Sequence, residues 1–305
     1  MTSGEAFEDI YYTSRDGLRL HARRYPASGG TGRHARPALC LPGLTRNGRD
    51  FHDLAVALIK RSHTPRTVYT LDYRGRGLSD FDPDWRNYTI SNEMLDVIDF
   101  ITLSGLHDAA LIGTSRGGLI TMLLAAAQPT AIGAVVLNDI GPVIEHEGMA
   151  RISGYVGRVP LPISWADAAR MVRELNRRHF PEISEAVWED VARQWYNDRN
   201  GKPAPGYDSN LGNALSVLDG PMPTLWPQFE ALKRVPLMVV RGENSDILTA
   251  ETVDEMRRRH PAMATITVAS QGHAPLLKDP TTTEAIRHFL TAADADRQFA
   301  TLASA

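Results

Sequence analysis

A series of short runs along the chain is apolar at nearly every position: residues 38–43 (ALCLPG), 67–73 (TVYTLDY), 109–115 (AALIGTS), 132–139 (IGAVVLND), 236–242 (PLMVVRG) and 264–270 (ATITVAS). A strand covered on both faces needs no polar alternation, so these runs predict central strands of a parallel sheet. Between them, apolar residues recur at helical spacing over 48–60, 92–104, 116–128, 249–260 and 281–292. Strand and helix in alternation predict an α/β, doubly wound architecture. Ahead of the first run, FEDIYYTS (7–14) and LRLHARRYP (18–26) flank Asp16-Gly17, a strong hairpin dipeptide. The sheet is therefore expected to have about eight strands, mostly parallel, with an antiparallel start.

The alternation breaks between Asp139 and Arg234, a segment without a good strand. Ser164-x-x-Asp167 opens a helix whose Trp165, Ala168, Ala169, Val172 and Leu175 fall on one face, and Val187, Trp188, Val191, Ala192 and Trp195 form a second such face. Residues 198–224 read as an irregular Gly/Pro-rich connection. The expected organisation is a core of residues 1–139 and 234–305, with 140–233 inserted as a helical segment. Every tryptophan except Trp85 lies in that insertion, which gives it aromatic surface to wall a ligand pocket or to pack against the core.

Composition narrows the partners. With 43% hydrophobic and 23% charged residues, the chain has the make-up of a soluble globular protein. A formal net charge of -3 supplies no bulk attraction to nucleic acid or anionic lipid, so neither a nucleic-acid partner nor membrane insertion is expected, and the substrate is expected to be small. The uncharged run 117–138 is cut by Gln128-Pro129-Thr130, a helix end rather than part of a membrane span. The single cysteine, Cys40, sits in an apolar run as an inert thiol. The acidic beginning MTSGEAFEDIYYTSRDG lacks the order of a secretory signal, which predicts a cytoplasmic location.

The chemistry centres on Gly113-Thr114-Ser115-Arg116-Gly117-Gly118, a G-x-S-x-G match between the strand AALI and the helix GGLITMLLAAA. A turn that projects a serine hydroxyl forward crowds its flanking backbone, and a β-carbon at Gly113 or Gly117 is expected to collide there. Ser115 then sits at the positive end of a helix. A serine needs a base to take its proton and an acid to orient that base. His260 lies in an arginine-rich helix end and His288 in mid-helix, whereas His273, in SQGHAP, follows a strand and lands on the sheet edge that carries Ser115. His273 is the expected base. Asp246, in RGENSD after PLMVV, is the expected acid, with Asp139 at the end of AVVLND and Glu243 as rivals. Backbone amides of Arg116 and of Leu44, just past Gly43, are the expected oxyanion donors.

These motifs, with DYRGRGLSD (72–80), RGENSDIL and GHAP, resemble those of the α/β-hydrolase superfamily over nearly the whole chain. The resemblance implies the order serine, acid, histidine, a helical cap over the pocket, structural roles for Asp72, Arg74, Gly75 and Gly77, and no cofactor. Ser115 departs from the aspartate nucleophile of dehalogenases and epoxide hydrolases of this fold, and LPGL stands where lipase-like esterases carry HGGG. Thr114 and Ala274 depart from the carbon-carbon bond hydrolases. Arg116 is unusual beside a nucleophile, with two roles open to it: an ion pair with a neighbouring loop, or recognition of a substrate carboxylate. The expected activity is hydrolysis of a small carboxylic ester or lactone through an acyl-enzyme. Carbon-carbon hydrolysis, acyl transfer and ligand binding without catalysis are the alternatives.

Overall fold

A computed structural model describes residues 6–28, 35–60, 65–216 and 223–303. The hairpin strands β1 (Glu8–Thr13) and β2 (Arg19–Tyr25) pair antiparallel around Asp16-Gly17, where Gly17 has φ 93°. The remaining strands of the main sheet are β3 (Ala38–Leu41), β4 (Val68–Asp72), β5 (Ala109–Thr114), β6 (Ile132–Asn138), β9 (Leu237–Gly242) and β10 (Ala264–Val268). Their order across the sheet is β1-β2-β4-β3-β5-β6-β9-β10, with eight strands, parallel from β4 onward. Chain order reverses on either side of β3, and open α/β sheets place their crevice at such a switch, outside the carboxyl ends of the strands.

The pleat sorts each central strand between two cores. Leu39 and Leu41 of β3, with Leu111, Val135, Leu137 and Val239, face α2 (Ile90–Leu103) and α3 (Arg116–Ala127). Ala38 and Cys40, with Ala110, Ile112, Val136 and Val240, face α1 (His52–Lys60) and α10 (Pro280–Ala303). Both sides are covered, which is why these runs carry no polar alternation. Cys40 is fully buried, and that burial pushes its thiol pKa well up. Helix α9 (Ala250–Arg259) lies between β9 and β10.

Residues 140–233 carry α4 (His146–Tyr155), α5 (Trp165–Asn176), α6 (Glu185–Trp195), α7 (Leu211–Ser216) and α8 (Trp226–Glu230). Helices α5 and α6 make a core of their own from Ala168, Val172, Trp188, Val191 and Ala192, the two faces seen in the sequence. The segment also holds a hairpin, β7 (Asn197–Arg199) and β8 (Lys202–Ala204), where a strandless stretch was expected. Its turn, Asn200-Gly201, takes φ 54° and 76°, the positive values a tight hairpin demands. Part of the expected 198–224 connection, 217–222, lies outside the described residues.

The DYRGRGLSD loop is a bracing element. The Asp72 carboxylate accepts the N–H groups of Gly48 at 2.7 Å and Leu78 at 2.8 Å, and Arg74 pairs with buried Asp82 and Asp96. The hairpin docks on this loop: Asn197 Nδ2 donates to Gly77 O at 2.7 Å, and Gly77 N–H to Gly206 O at 2.8 Å. Among the described residues no helix is long and apolar enough to cross a membrane.

Candidate active site

Ser115 stands between β5 and α3 with φ 50° and ψ −114°, a left-handed conformation that side chains other than glycine rarely adopt. Its glycine neighbours are required sterically. A β-carbon on Gly113 would lie 2.6 Å from the Gly117 carbonyl, and one on Gly117 would lie 2.0 Å from Leu41 O. Glycine at both positions is what lets α3 start hard against β3.

The imidazole of His273, on the loop after β10, lies with Nε2 2.8 Å from Ser115 Oγ. Its Nδ1 lies 2.8 Å from Oδ2 of Asp139, the residue that follows β6. With the proton on Nδ1, that N–H donates to the carboxylate and Nε2 is left to accept the serine hydroxyl. Asp139 is fully buried, and it too has a positive φ, 55°. Its Oδ1 accepts the Gly242 N–H at 2.7 Å, and Oδ2 also accepts the Ser245 hydroxyl at 2.6 Å. These bonds from β9 and its loop fix the carboxylate and offset its loss of water.

The structure therefore brings Ser115 and His273 together but not Asp246, and the expectation for Asp246 is corrected. Its carboxylate is turned to α4, where Arg151 grips it through Nε at 2.5 Å and Nη2 at 2.9 Å. Burial raises the Asp246 pKa, but the Arg151 guanidinium outweighs it and holds the group below the usual carboxylate range. His179 Nε2 lies 4.0 Å from the same carboxylate. Glu243, the second rival, accepts the Ser270 N–H at 2.8 Å.

Leu44 and Arg116 flank the serine. The loop after β3 passes so close that a β-carbon on Gly43 would lie 3.8 Å from Ser115 Cβ. Among the described residues neither the Leu44 nor the Arg116 amide donates to a backbone acceptor in a turn or loop. The Arg116 side chain is committed elsewhere, to the fully buried Glu93 on α2 and to Tyr88 O at 3.2 Å. Of the two roles open to this guanidinium, the structure thus shows an ion pair, with a helix rather than a loop. Glu93 also pairs with Arg76 Nη2 at 2.7 Å, and Arg76 Nε donates to Leu44 O at 2.9 Å. One carboxylate, which the sequence reading did not single out, thus ties both segments beside the serine. Burial raises the Glu93 pKa, and the Arg116 and Arg76 charges more than reverse that.

A cavity of about 90 Å³ opens on Ser115 and His273, walled from the inserted segment by Ile152, Tyr155, Trp188 and Trp195. Of the four tryptophans of 140–233, Trp188 and Trp195 reach this cavity; Trp226 packs on the main core, and Trp165 Nε1 donates to Gly201 O at 3.0 Å. Arg46 was also missed. It lines the cavity with its guanidinium 3.4 Å from the Trp195 ring centroid and pairs with Asp50 at 2.8 Å, an i,i+4 spacing legible in RNGRD. Among the described residues no group of three or more His, Cys, Asp or Glu is disposed to hold a metal ion.

The sequence profile of the alpha/beta hydrolase family matches residues 38–286. The chain is similar to a 3-hydroxybutyrate-oligomer hydrolase of Cupriavidus necator, 31% identical over 272 residues that cover 85% of this chain and 89% of that protein. It is 26% identical over 251 residues to a 2-(acetamidomethylene)succinate hydrolase of Mesorhizobium japonicum, covering 82% and 86% of the two chains. Among solved structures, an alpha/beta hydrolase from Novosphingobium aromaticivorans superposes with a TM-score of 0.86 at 40% identity, over 95% of this chain and 99% of that one.

Proposed function

This chain belongs to the alpha/beta hydrolase family, and from that membership we propose that it hydrolyses a small carboxylic ester or lactone through an acyl-enzyme on Ser115. The observation that carries the reading is the continuous Ser115–His273–Asp139 relay, with both contacts at 2.8 Å. In the first half-reaction Ser115 Oγ bonds to the carbonyl carbon while His273 Nε2 takes the hydroxyl proton. The tetrahedral adduct collapses, its carbon-oxygen bond to the leaving alcohol breaks, and Nε2 returns the proton to that oxygen. Water then repeats the sequence on the acyl-enzyme and frees the acid and Ser115. Asp139 holds the ring tautomer and stabilises the imidazolium that forms in each half-reaction.

The developing oxyanion is assigned to the amides of Leu44 and Arg116, in segments that Glu93 ties together through Arg76 and Arg116. Residues 140–233 act as a cap, which is supported by the side chains they contribute to the cavity over Ser115. The name of the Cupriavidus relative, a hydrolase of hydroxy-acid oligomers, supports an oxygen ester as the bond cleaved. Ser115→Ala tests the reading. Hydrolysis of p-nitrophenyl butyrate is expected to fall on the order of 10⁴–10⁶-fold, and covalent labelling by a fluorophosphonate to disappear. A variant as active as the wild type overturns it.

A further inference from the structure

Next to the cavity at Ser115 lies a second, larger one of about 280 Å³. Thr45, Tyr155 and Trp195 line both, so the two chambers share a wall. The second chamber is lined by Val159, Met171, Val172 and Leu175, and it reaches the surface at Phe81 and Leu161, which are 46% and 56% exposed. Its one charged lining side chain, Asp208, and the Tyr207 hydroxyl already have partners. Asp208 accepts the Tyr88 hydroxyl at 2.6 Å and the Asn210 N–H at 2.9 Å, and the Tyr207 hydroxyl accepts the Gly157 N–H at 3.2 Å. The chamber thus offers an occupant apolar contact and no free charge.

The two chambers differ in size. At about 10–15 Å³ for each water-sized group, the cavity of about 90 Å³ at Ser115 takes about six to nine such groups, enough for the ester linkage and a short stub. A longer chain directed at the second chamber passes the wall shared by Thr45, Tyr155 and Trp195. The indole is held in place by the Arg46 guanidinium stacked on its ring, and its Nε1–H is buried without a hydrogen-bond partner among the described residues.

We propose that the second chamber is the binding site for an uncharged alkyl chain of the ester substrate, which passes Trp195 from the scissile carbonyl. The inference rests on the serine-hydrolase reading for its catalytic test but not for its binding test. It predicts a preference for medium-length over short esters, whether the chain belongs to the acyl or to the alcohol side.

The experiment compares kcat/KM for p-nitrophenyl acetate and octanoate, and for ethyl and octyl acetate, in the wild type, Leu175→Trp and Met171→Trp, each checked for folding by circular dichroism. Wild-type protein is expected to favour the long member of at least one pair by about tenfold or more, and both indole fillings to cut that ratio by about tenfold or more. An unchanged ratio in both folded variants, or a wild type that favours the short member of both pairs, overturns the proposal. In parallel, 1-octanol is titrated calorimetrically into the Ser115→Ala protein. Binding that Leu175→Trp abolishes supports the chamber even if Ser115 proves not to be the nucleophile. No octanol binding to Ser115→Ala, while Ser115 of the wild type labels with fluorophosphonate, removes the chamber and leaves the serine reading intact.

Discussion

Asp139 Oδ2 lies 2.8 Å from His273 Nδ1, a contact between the segments that follow β6 and β10, the two strands on either side of β9 in one sheet. Asp246, four residues beyond the end of β9, is held by Arg151 instead. The two carboxylates therefore differ in what their loss does. Asp139→Asn is expected to lower kcat by about 10⁴-fold, because the amide favours the wrong imidazole tautomer. Asp246→Asn is expected to change it by less than about tenfold, and steady-state kinetics on p-nitrophenyl butyrate checks both.

Removing the Glu93 charge is expected to act at a distance. Glu93→Gln loosens Arg116, which follows Ser115, and Arg76, which holds Leu44 O at 2.9 Å. We expect kcat to drop by about tenfold or more with KM little changed, since an oxyanion donor acts on the transition state. Two buried guanidinium groups lose their partner as well, so denaturant unfolding should report a loss of about 3–5 kcal/mol.

Glycine substitutions separate crowding from propensity. Gly117→Ala sets a β-carbon 2.0 Å from Leu41 O, which neither α3 nor β3 can yield without parting. A loss of about 3 kcal/mol or more in urea unfolding is expected. Gly154→Ala, near the end of α4 with nothing within 4 Å of the added carbon, should instead gain about 0.5–1 kcal/mol.

The Arg151–Asp246 pair joins the inserted segment to the loop after β9, and its contribution depends on pH. The Asp246 pKa is depressed in the folded protein, so its stabilisation is fully present above the unfolded value of about 3.9 and is lost as pH falls through the lower, folded value. Comparing thermal midpoints of wild type and Asp246→Asn tests this. The gap should be open at pH 7 and should close on acidification below about pH 4.

The strands were legible because a parallel sheet covered on both faces leaves apolar runs such as ALCL and IGAVVLN, and the edge hairpin because Asp16-Gly17 announces its turn. The second hairpin carried an equal signal in Asn200-Gly201, yet its strands, NDR and KPA, have no apolar face to read. Ser115 and His273 were legible because glycine spacing and a loop after a strand are local properties.

What the sequence determined alone was a sheet edge, the serine and the imidazole meeting there, and a helical insertion. The choice between Asp139 and Asp246 belonged to the tertiary structure. Both carboxylates follow strands ending at the same edge, and local pattern cannot tell which one the Gly242 amide and the Ser245 hydroxyl will fix and which one an arginine from a distant helix will capture. The same holds for Glu93 and for the second chamber. Their meaning lies in contacts among α2, the loop after β4, α5 and α6, whose relative placement is set by packing rather than by periodicity.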